Sequence, residues 1–155
     1  MQERLEASGA DPSRLTVELT ESSTLEDPAL AEEVVRGLDA LGLRIALDDF
    51  GTGYSSLSRL RELPVSTLKI DRSFLRDVPE RPEAAAVVTA ILQLAAALGR
   101  VAVAEGVETE AQREFLTREG CPLAQGFLLG VPAPPEVVEA DIAPDAAVAP
   151  ANFGI

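Results

Sequence analysis

Between Leu47 and Leu57 the chain reads LDDFGTGYSSL, an apolar run that ends in two adjacent carboxylates and a glycine-rich loop. Ile45, Ala46 and Leu47 have the character of a buried strand, and Asp48 and Asp49 sit where that strand meets solvent. Neighbouring strand residues point to opposite faces, so both aspartates reach one site only if the strand stops there. Two like charges so close repel each other, and a bound divalent cation is the usual relief. The competing reading is a plain turn, because Asp and Gly favour turns for local reasons. Other groups that bind metal or move protons fall in similar places. Glu18 and Glu21 follow one apolar segment, Lys69 and Asp71 another, and Glu105 a third, while Gln125 lies in a fourth. For Lys69 the alternative to chemistry is a salt bridge to Asp71 or a neighbouring carboxylate. Glu105 and Glu108 could be an ordinary solvated loop, but Glu105 directly follows the buried run VAVA.

These residues need a scaffold, and the chain alternates two kinds of element. Strand character is found at Leu15–Thr20, Leu43–Asp48, Thr67–Asp71, Val101–Glu105 and Leu123–Phe127. Helices are predicted at Met1–Ser8, from Asp27 and Pro28 to Gly42, at Ser56–Glu62, at Pro82–Leu98, from Thr109 to Gly120 and at Pro135–Asp141. Thr109 and Gln112 have capping-box spacing. Pro82–Leu98 is apolar around most of its circumference. Strands as continuously apolar as LGLRIAL and VAVA belong in a buried parallel sheet. Polar groups collected at the carboxyl ends of successive parallel strands are the layout of a (β/α)₈ barrel active site. The fold class is therefore α/β, a partial TIM-like barrel of about five parallel strands, since a complete barrel usually takes roughly 250 residues. Residues 1–141 form this unit. Residues 142–155, rich in Ala and Pro, read as a disordered tail.

Composition removes several function classes. The chain has 155 residues, enough for one domain with a real core, and is 46% hydrophobic but only 4% aromatic. It contains no histidine, which excludes Ser-His and Cys-His nucleophiles and histidine-based zinc sites. The single cysteine, Cys121, forms no internal disulfide and fits a structural thiol in a reducing, cytoplasmic setting. No apolar run is long enough to span a bilayer. The net charge of −13 argues against polymeric nucleic acid, which requires a basic surface. A small phosphorylated ligand remains open, because metal ions can bridge it to carboxylates.

Four blocks, LTVELTES (15–22), IALDDFGTGYSSLSRLRELPVSTLKIDRSF (45–74), VAVAEGVETEAQ (101–112) and GCPLAQGFLLGVPAP (120–134), together resemble the EAL domain, the phosphodiesterase of bacterial cyclic di-GMP signalling. The resemblance implies a modified (β/α)₈ barrel that holds two divalent metals, Mg²⁺ or Mn²⁺, over the cyclic dinucleotide and hydrolyses it to the linear form. It implies that Glu18 and Asp48 bind the first metal, that Asp48 bridges to the second, and that Asp49 and Glu105 complete the second site. Lys69 would hold or deprotonate the attacking water, pushed towards its neutral form by the cations, and Gln125 would help position that water or the second metal. Glu21 resembles the glutamate that braces the glycine loop, with Gly51, Thr52 and Gly53 in that loop. Glu108 resembles an anchor behind the metal ligands. The loop from Phe50 to Leu57 would link metal binding to dimerisation.

One departure bears on activity. The family takes its name from a Glu-Ala-Leu motif whose glutamate binds metal, and a metal-binding Asn follows on the next strand. Glu6–Ala7 lies in the opening helix and Asn152 in the tail, so neither motif is present. The chain is expected to be the later part of such a domain, without its first three strands, and to have followed a sensor or GGDEF-type domain in a parent protein. Two readings result: a fragment of a cyclic di-GMP phosphodiesterase, or a non-catalytic EAL-derived binding or regulatory module. Association through the open barrel edge, or a homodimer, is expected in either case.

Overall fold

The computed structural model describes residues 2–21, 28–51 and 57–141, and within them β and α elements alternate. Helix α1 (Gln2–Ser8) stops at Gly9, whose φ of 65° ends the helix without a Cβ penalty. A 3₁₀ turn, Pro12–Arg14, follows, capped by the Asp11 carboxylate, which accepts from the Ser13 amide at 3.0 Å. Then come β1 (Thr16–Thr20), α2 (Pro28–Ala40), β2 (Arg44–Phe50), α3 (Leu57–Glu62) and β3 (Thr67–Ile70). A second 3₁₀ turn (Arg72–Phe74) leads to α4 (Pro82–Ala97), β4 (Val101–Glu105), α5 (Glu110–Arg118), β5 (Leu123–Gln125) and α6 (Pro135–Asp141). The five strands form one sheet in the order β1-β2-β3-β4-β5, every neighbouring pair parallel. This is the barrel-like arc expected from the alternating pattern.

The two faces of the sheet differ. Ile45, Leu47, Leu68, Ile70, Ala102 and Ala104 point to one face and are buried. Val35 of α2, Val88, Ile91, Leu92 and Ala95 of α4, and Phe115 and Leu116 of α5 cover them. The four α4 residues have spacings of three and four, so the helix buries one stripe only, and Val87 is exposed. An apolar circumference thus does not mean burial on all sides here, because much of the apolar surface of α4 is alanine, which tolerates solvent. Alternate residues point to the other face, and that face carries the polar groups.

Three strands end elsewhere than predicted. β3 ends at Ile70, one residue early, because the Asp71 carboxylate turns back to accept from the Ser73 amide at 3.0 Å and caps the 3₁₀ turn. β5 ends at Gln125 rather than Phe127. There the chain bends so closely that a Cβ on Gly126 would lie 2.2 Å from the Val107 backbone, and the Leu128 amide bonds the Val107 carbonyl at 3.0 Å. β2 runs past Asp48 to Phe50 through an irregularity that shapes the site. The tail expected at 142–155 lies outside the described residues.

Candidate metal centre

In β2 the register shifts between Leu47, which pairs with Leu68, and Phe50, which pairs with Ile70. Asp48 and Asp49 therefore stand opposite the single residue Lys69, the two-against-one arrangement of a β-bulge. Asp49 takes a φ of 55°, the left-handed region that Asp tolerates better than most residues. The expectation that the strand must stop for both aspartates to share a site is thus corrected, since a bulge achieves it without ending the strand. Ligand oxygens of Asp48, Asp49 and Glu105 lie within 4.8 Å of one another, close enough to share a cation.

Register explains the remaining members. Parallel pairing puts Glu18 level with Ala46, Lys69 level with Val103, and Glu105 level with Gln125, all on one face. Steps of two residues along that face bring Glu18, Asp48, Lys69 and Glu105 to one focus. Lys69 Nζ lies 2.7 Å from Glu18 Oε2, 3.0 Å from Asp48 Oδ1 and 2.7 Å from Glu105 Oε1. Its side chain is 8% exposed, whereas that of Glu18, on the edge strand, is 51% exposed. Burial opposes the lysine charge, but hydrogen bonds to Glu105, Glu18 and Asp48 outweigh it and raise the lysine pKa well above its ordinary value. These hydrogen bonds favour the lysine cation, and the push towards the neutral amine expected from bound cations is a separate influence. A salt bridge to neighbouring carboxylates is what forms; Asp71 is engaged elsewhere. Burial raises the Glu105 pKa, with Asp48 and Glu18 adding to the rise and Lys69 opposing it. Four carboxylates around one ammonium leave a formal excess of three negative charges.

A second layer holds these groups. Gln125 Nε2 donates to Glu105 Oε1 at 2.7 Å, so Gln125 orients a carboxylate of the cluster. The buried Glu21 accepts from the Gly51 amide at 2.8 Å and fixes the first residue after the bulged strand. Gly51 has a φ of 93°, and a Cβ there would meet the Phe74 ring at 2.9 Å. Gly106 is equally confined, with its would-be Cβ 2.5 Å from Arg72. The buried Gln112 joins two of the loops. Its Oε1 accepts from the Glu108 and Thr109 amides at 2.8 and 3.1 Å, and its Nε2 donates to the Leu75 carbonyl at 2.9 Å. The capping-box spacing announces the first half of this role; nothing local announces Leu75, 37 residues away. Phe74 likewise shows no sequence signal beyond being an aromatic after KIDRS.

The structure thus brings together Glu18, Asp48, Asp49, Lys69, Glu105 and Gln125, with Glu21 and Gly51 behind them. It does not bring Glu108 to the cluster, because its side chain is exposed and lines a neighbouring cavity. Thr52 and Gly53 lie outside the described residues. Cys121 is buried, and burial pushes its thiol pKa up, as suits a structural thiol.

A family profile described as the EAL domain matches residues 1–132. The chain belongs to the EAL domain family. It is 50% identical over 133 residues to the bifunctional diguanylate cyclase/cyclic di-GMP phosphodiesterase MucR of Pseudomonas aeruginosa, covering 86% of this chain and 19% of that protein. The cyclic di-GMP phosphodiesterase RocR of the same organism is 43% identical over 123 residues, covering 79% of this chain and 31% of that one. Among solved structures, the MucR phosphodiesterase in complex with c-di-GMP superposes with a TM-score of 0.84 at 48% identity, over 88% of this chain and 56% of that chain. The EAL domain of Mycobacterium smegmatis DcpA gives a TM-score of 0.83 at 42% identity, over 90% and 62%. The chain thus spans a fifth to a third of these curated relatives, and its relatives are cyclic di-GMP phosphodiesterases. No helix among the described residues is long and apolar enough to cross a membrane.

Proposed function

We propose that this chain is the metal-binding half of a cyclic di-GMP phosphodiesterase site and contributes to hydrolysis of the cyclic dinucleotide to its linear form. The observation that carries the reading is the convergence of Asp48, Asp49 and Glu105 oxygens within 4.8 Å beside Lys69. The donor set fits the expected ions, because clustered carboxylate oxygens on a strongly anionic focus suit hard divalent cations such as Mg²⁺ or Mn²⁺. Glu18 and Asp48 would hold one ion, and Asp48, Asp49 and Glu105 the other. Cations bound there would neutralise the phosphodiester, lower the pKa of a water and stabilise the leaving oxygen.

The chain's own residues set the geometry. The bulge aims two adjacent carboxylates at one point, and Gln125 holds Glu105 in line. Lys69 holds the carboxylates together as a tethered cation. With those oxygens engaged by metal, its ammonium would be free to donate hydrogen bonds to the water or the phosphate. The EAL glutamate and the following asparagine have no counterpart among these 155 residues, so we infer that full turnover needs donors outside the chain. Association with a second copy or with a preceding domain of a longer protein is part of this reading. Should the chain hold metal and nucleotide without turning them over even when completed, it is instead a non-catalytic EAL-derived module.

The test has two arms. Mn²⁺ binding, followed by loss of the free-ion paramagnetic resonance signal, should be measurable in the chain and fall at least about 10-fold in Asp48→Asn. Fusion to the segment that precedes the matching region in MucR should give Mn²⁺-dependent conversion of cyclic di-GMP to linear dinucleotide. Absence of Mn²⁺ binding, or vigorous turnover by the unfused chain, would refute the respective halves of the proposal.

A further inference from the structure

Gln112 is a buried polar residue of α5, 7% exposed, and is not itself a member of the carboxylate cluster. We propose that it is a positioning residue, which sets the spacing of Asp49 and Glu105 and so makes the centre selective for the smaller divalent cations. The inference rests on the metal-centre reading above and adds to it the device that fixes the size of the site.

Asp49 and Glu105 come from β2 and β4, with β3 between them. Their separation therefore depends on what stands between the loops that follow those two strands. The 3₁₀ turn Arg72–Phe74, at the end of β3, fills that place. On one side the Phe74 ring packs on Gly51, two residues after Asp49, where a Cβ would approach the ring to 2.9 Å. On the other side Arg72 packs on Gly106, directly after Glu105, where a Cβ would lie 2.5 Å from the arginine Cβ. The turn is thus a spacer in direct contact with both ligand-bearing segments, and packed groups transmit such a spacing.

Contact stops the two segments from approaching, but only a tether stops them from drifting apart. On the β2 side Glu21 accepts from the Gly51 amide at 2.8 Å. On the β4 side the tether is Gln112. Its Nε2 donates at 2.9 Å to the carbonyl of Leu75, the residue after the turn. Its Oε1 accepts from the Glu108 and Thr109 amides, three and four residues beyond Glu105, at 2.8 and 3.1 Å. One planar amide therefore joins the spacer to the segment that carries Glu105. The bridge needs a donor and an acceptor on the same side chain, which glutamine supplies without charge. Burial leaves water no ready access to these bonds, so opening them is costly. Mg²⁺ demands near-ideal octahedral ligands at about 2.0–2.1 Å, whereas Ca²⁺ accepts irregular sets at about 2.3–2.6 Å. Ligands held at a fixed spacing discriminate between the two, and segments free to spread lose that discrimination.

Titration with Mn²⁺, followed by paramagnetic resonance with Mg²⁺ and Ca²⁺ as competitors, reads this selectivity on the chain itself, and thermal melts read its stability. Gln112→Met keeps the volume and removes the tether together with half of the capping box. Thr109→Ala removes the other half, the hydroxyl that accepts from the Gln112 amide at 3.2 Å, and leaves the tether in place. The wild type should prefer Mg²⁺ to Ca²⁺. Gln112→Met should weaken Mg²⁺ about 10-fold and Ca²⁺ less than about 3-fold. Thr109→Ala should melt at a lower temperature yet keep the wild-type preference. Phe74→Leu, which thins the spacer from the opposite side, should narrow the preference as Gln112→Met does, and it decides the matter if Gln112→Met does not fold. The proposal is overturned if a folded Gln112→Met, or Phe74→Leu in its place, keeps the wild-type preference. It is overturned as well if Thr109→Ala loses the preference equally, since helix capping alone would then account for the effect. A wild type that binds Mn²⁺ but does not prefer Mg²⁺ to Ca²⁺ removes this proposal and leaves the metal centre standing. A wild type that binds none of the three ions removes both.

Discussion

Leu68 and Lys69 are neighbours in β3 and belong to opposite halves of the molecule. Leu68 is fully buried against the helices, in a wall built of Ile, Val, Leu, Ala and Phe. Lys69 is almost as buried, but its surroundings are three carboxylates on a face where Val101 is 41% and Leu123 49% exposed. One face is stabilised by area removed from water, which needs no ligand. The other is stabilised by charge compensation, which a second cation can supply or disturb. The same strand therefore carries a self-sufficient face and a conditional one, and only the conditional face is chemically useful.

The largest test of that contrast is the pair Leu68→Ala and Lys69→Met. Leu68→Ala leaves a cavity and should cost about 3 kcal/mol, with or without metal. Lys69→Met preserves volume but leaves Glu18, Asp48 and Glu105 uncompensated. It should cost about 2 kcal/mol, less than the ~3–5 kcal/mol of a fully buried pair because Glu18 is half exposed to solvent. Thermal melts with and without Mg²⁺ separate the two: Mg²⁺ should recover much of the Lys69→Met loss and none of the Leu68→Ala loss. Equal responses to metal would mean that the two faces are not held by different forces.

Asp49 tests the bulge that converts a strand into a ligand. At a φ of 55° a β-branched residue is strained, so Asp49→Val should lose about 1–2 kcal/mol, whereas Asp49→Gly should be neutral or slightly stabilising. Both should lose metal affinity. Urea denaturation and Mn²⁺ titration of the two variants together would establish that strain and ligation are separate properties of one residue. A Val variant as stable as the Gly variant would remove the argument from strain.

Glu105 gives a smaller effect with a definite sign. Its folded pKa lies above the ordinary value, so ionisation costs stability at neutral pH, and that cost disappears as pH falls through the folded pKa. Glu105→Gln mimics the neutral form. Its stability advantage over the wild type should be greatest near pH 7 and shrink towards pH 4, while its Mn²⁺ affinity is low throughout. Lys69 behaves differently over this range. Its pKa is raised, so its contribution is complete at neutral pH and is lost only in strong alkali. A stability difference that grew on acidification would contradict the assigned burial of Glu105.

The parallel sheet and most of the focus were legible in sequence because both depend on short-range rules. Apolar runs of VAVA type specify buried strands, and a fixed period of two places Glu18, Asp48, Lys69 and Glu105 on one face once the register is known. What escaped were features that depend on residues far apart in the chain. The bulge at Asp48–Asp49 depends on how β2 meets β3. The early end of β5 depends on Val107 approaching Gly126, and the second role of Gln112 depends on the Leu75 carbonyl. The partners of Lys69 stayed open for the same reason: they are three carboxylates contributed by three other strands, not groups near position 69. Cavity-facing charges such as Arg72 and Glu108 carry no periodic signal at all.

The smallest folding effect, and the one that reaches furthest, is expected on the uncovered face. Val101 and Leu123 share it with the carboxylates and are half exposed there. Replacing both with Thr should change stability by less than about 0.5 kcal/mol each, as for ordinary surface positions. Apolar surface of this kind tends to find a partner. The net charge of −13 opposes association of identical chains, an effect that falls away as the Debye length shrinks from about 30 Å at 0.01 M salt to about 8 Å at 0.15 M. Light scattering coupled to size exclusion should therefore show self-association that increases with salt in the wild type and is reduced in the Val101→Thr, Leu123→Thr variant. The two sequences should melt alike. A wild type that remained a sharp monomer at every salt concentration would show that the conditional face needs no partner, and that its polar focus alone keeps it in water.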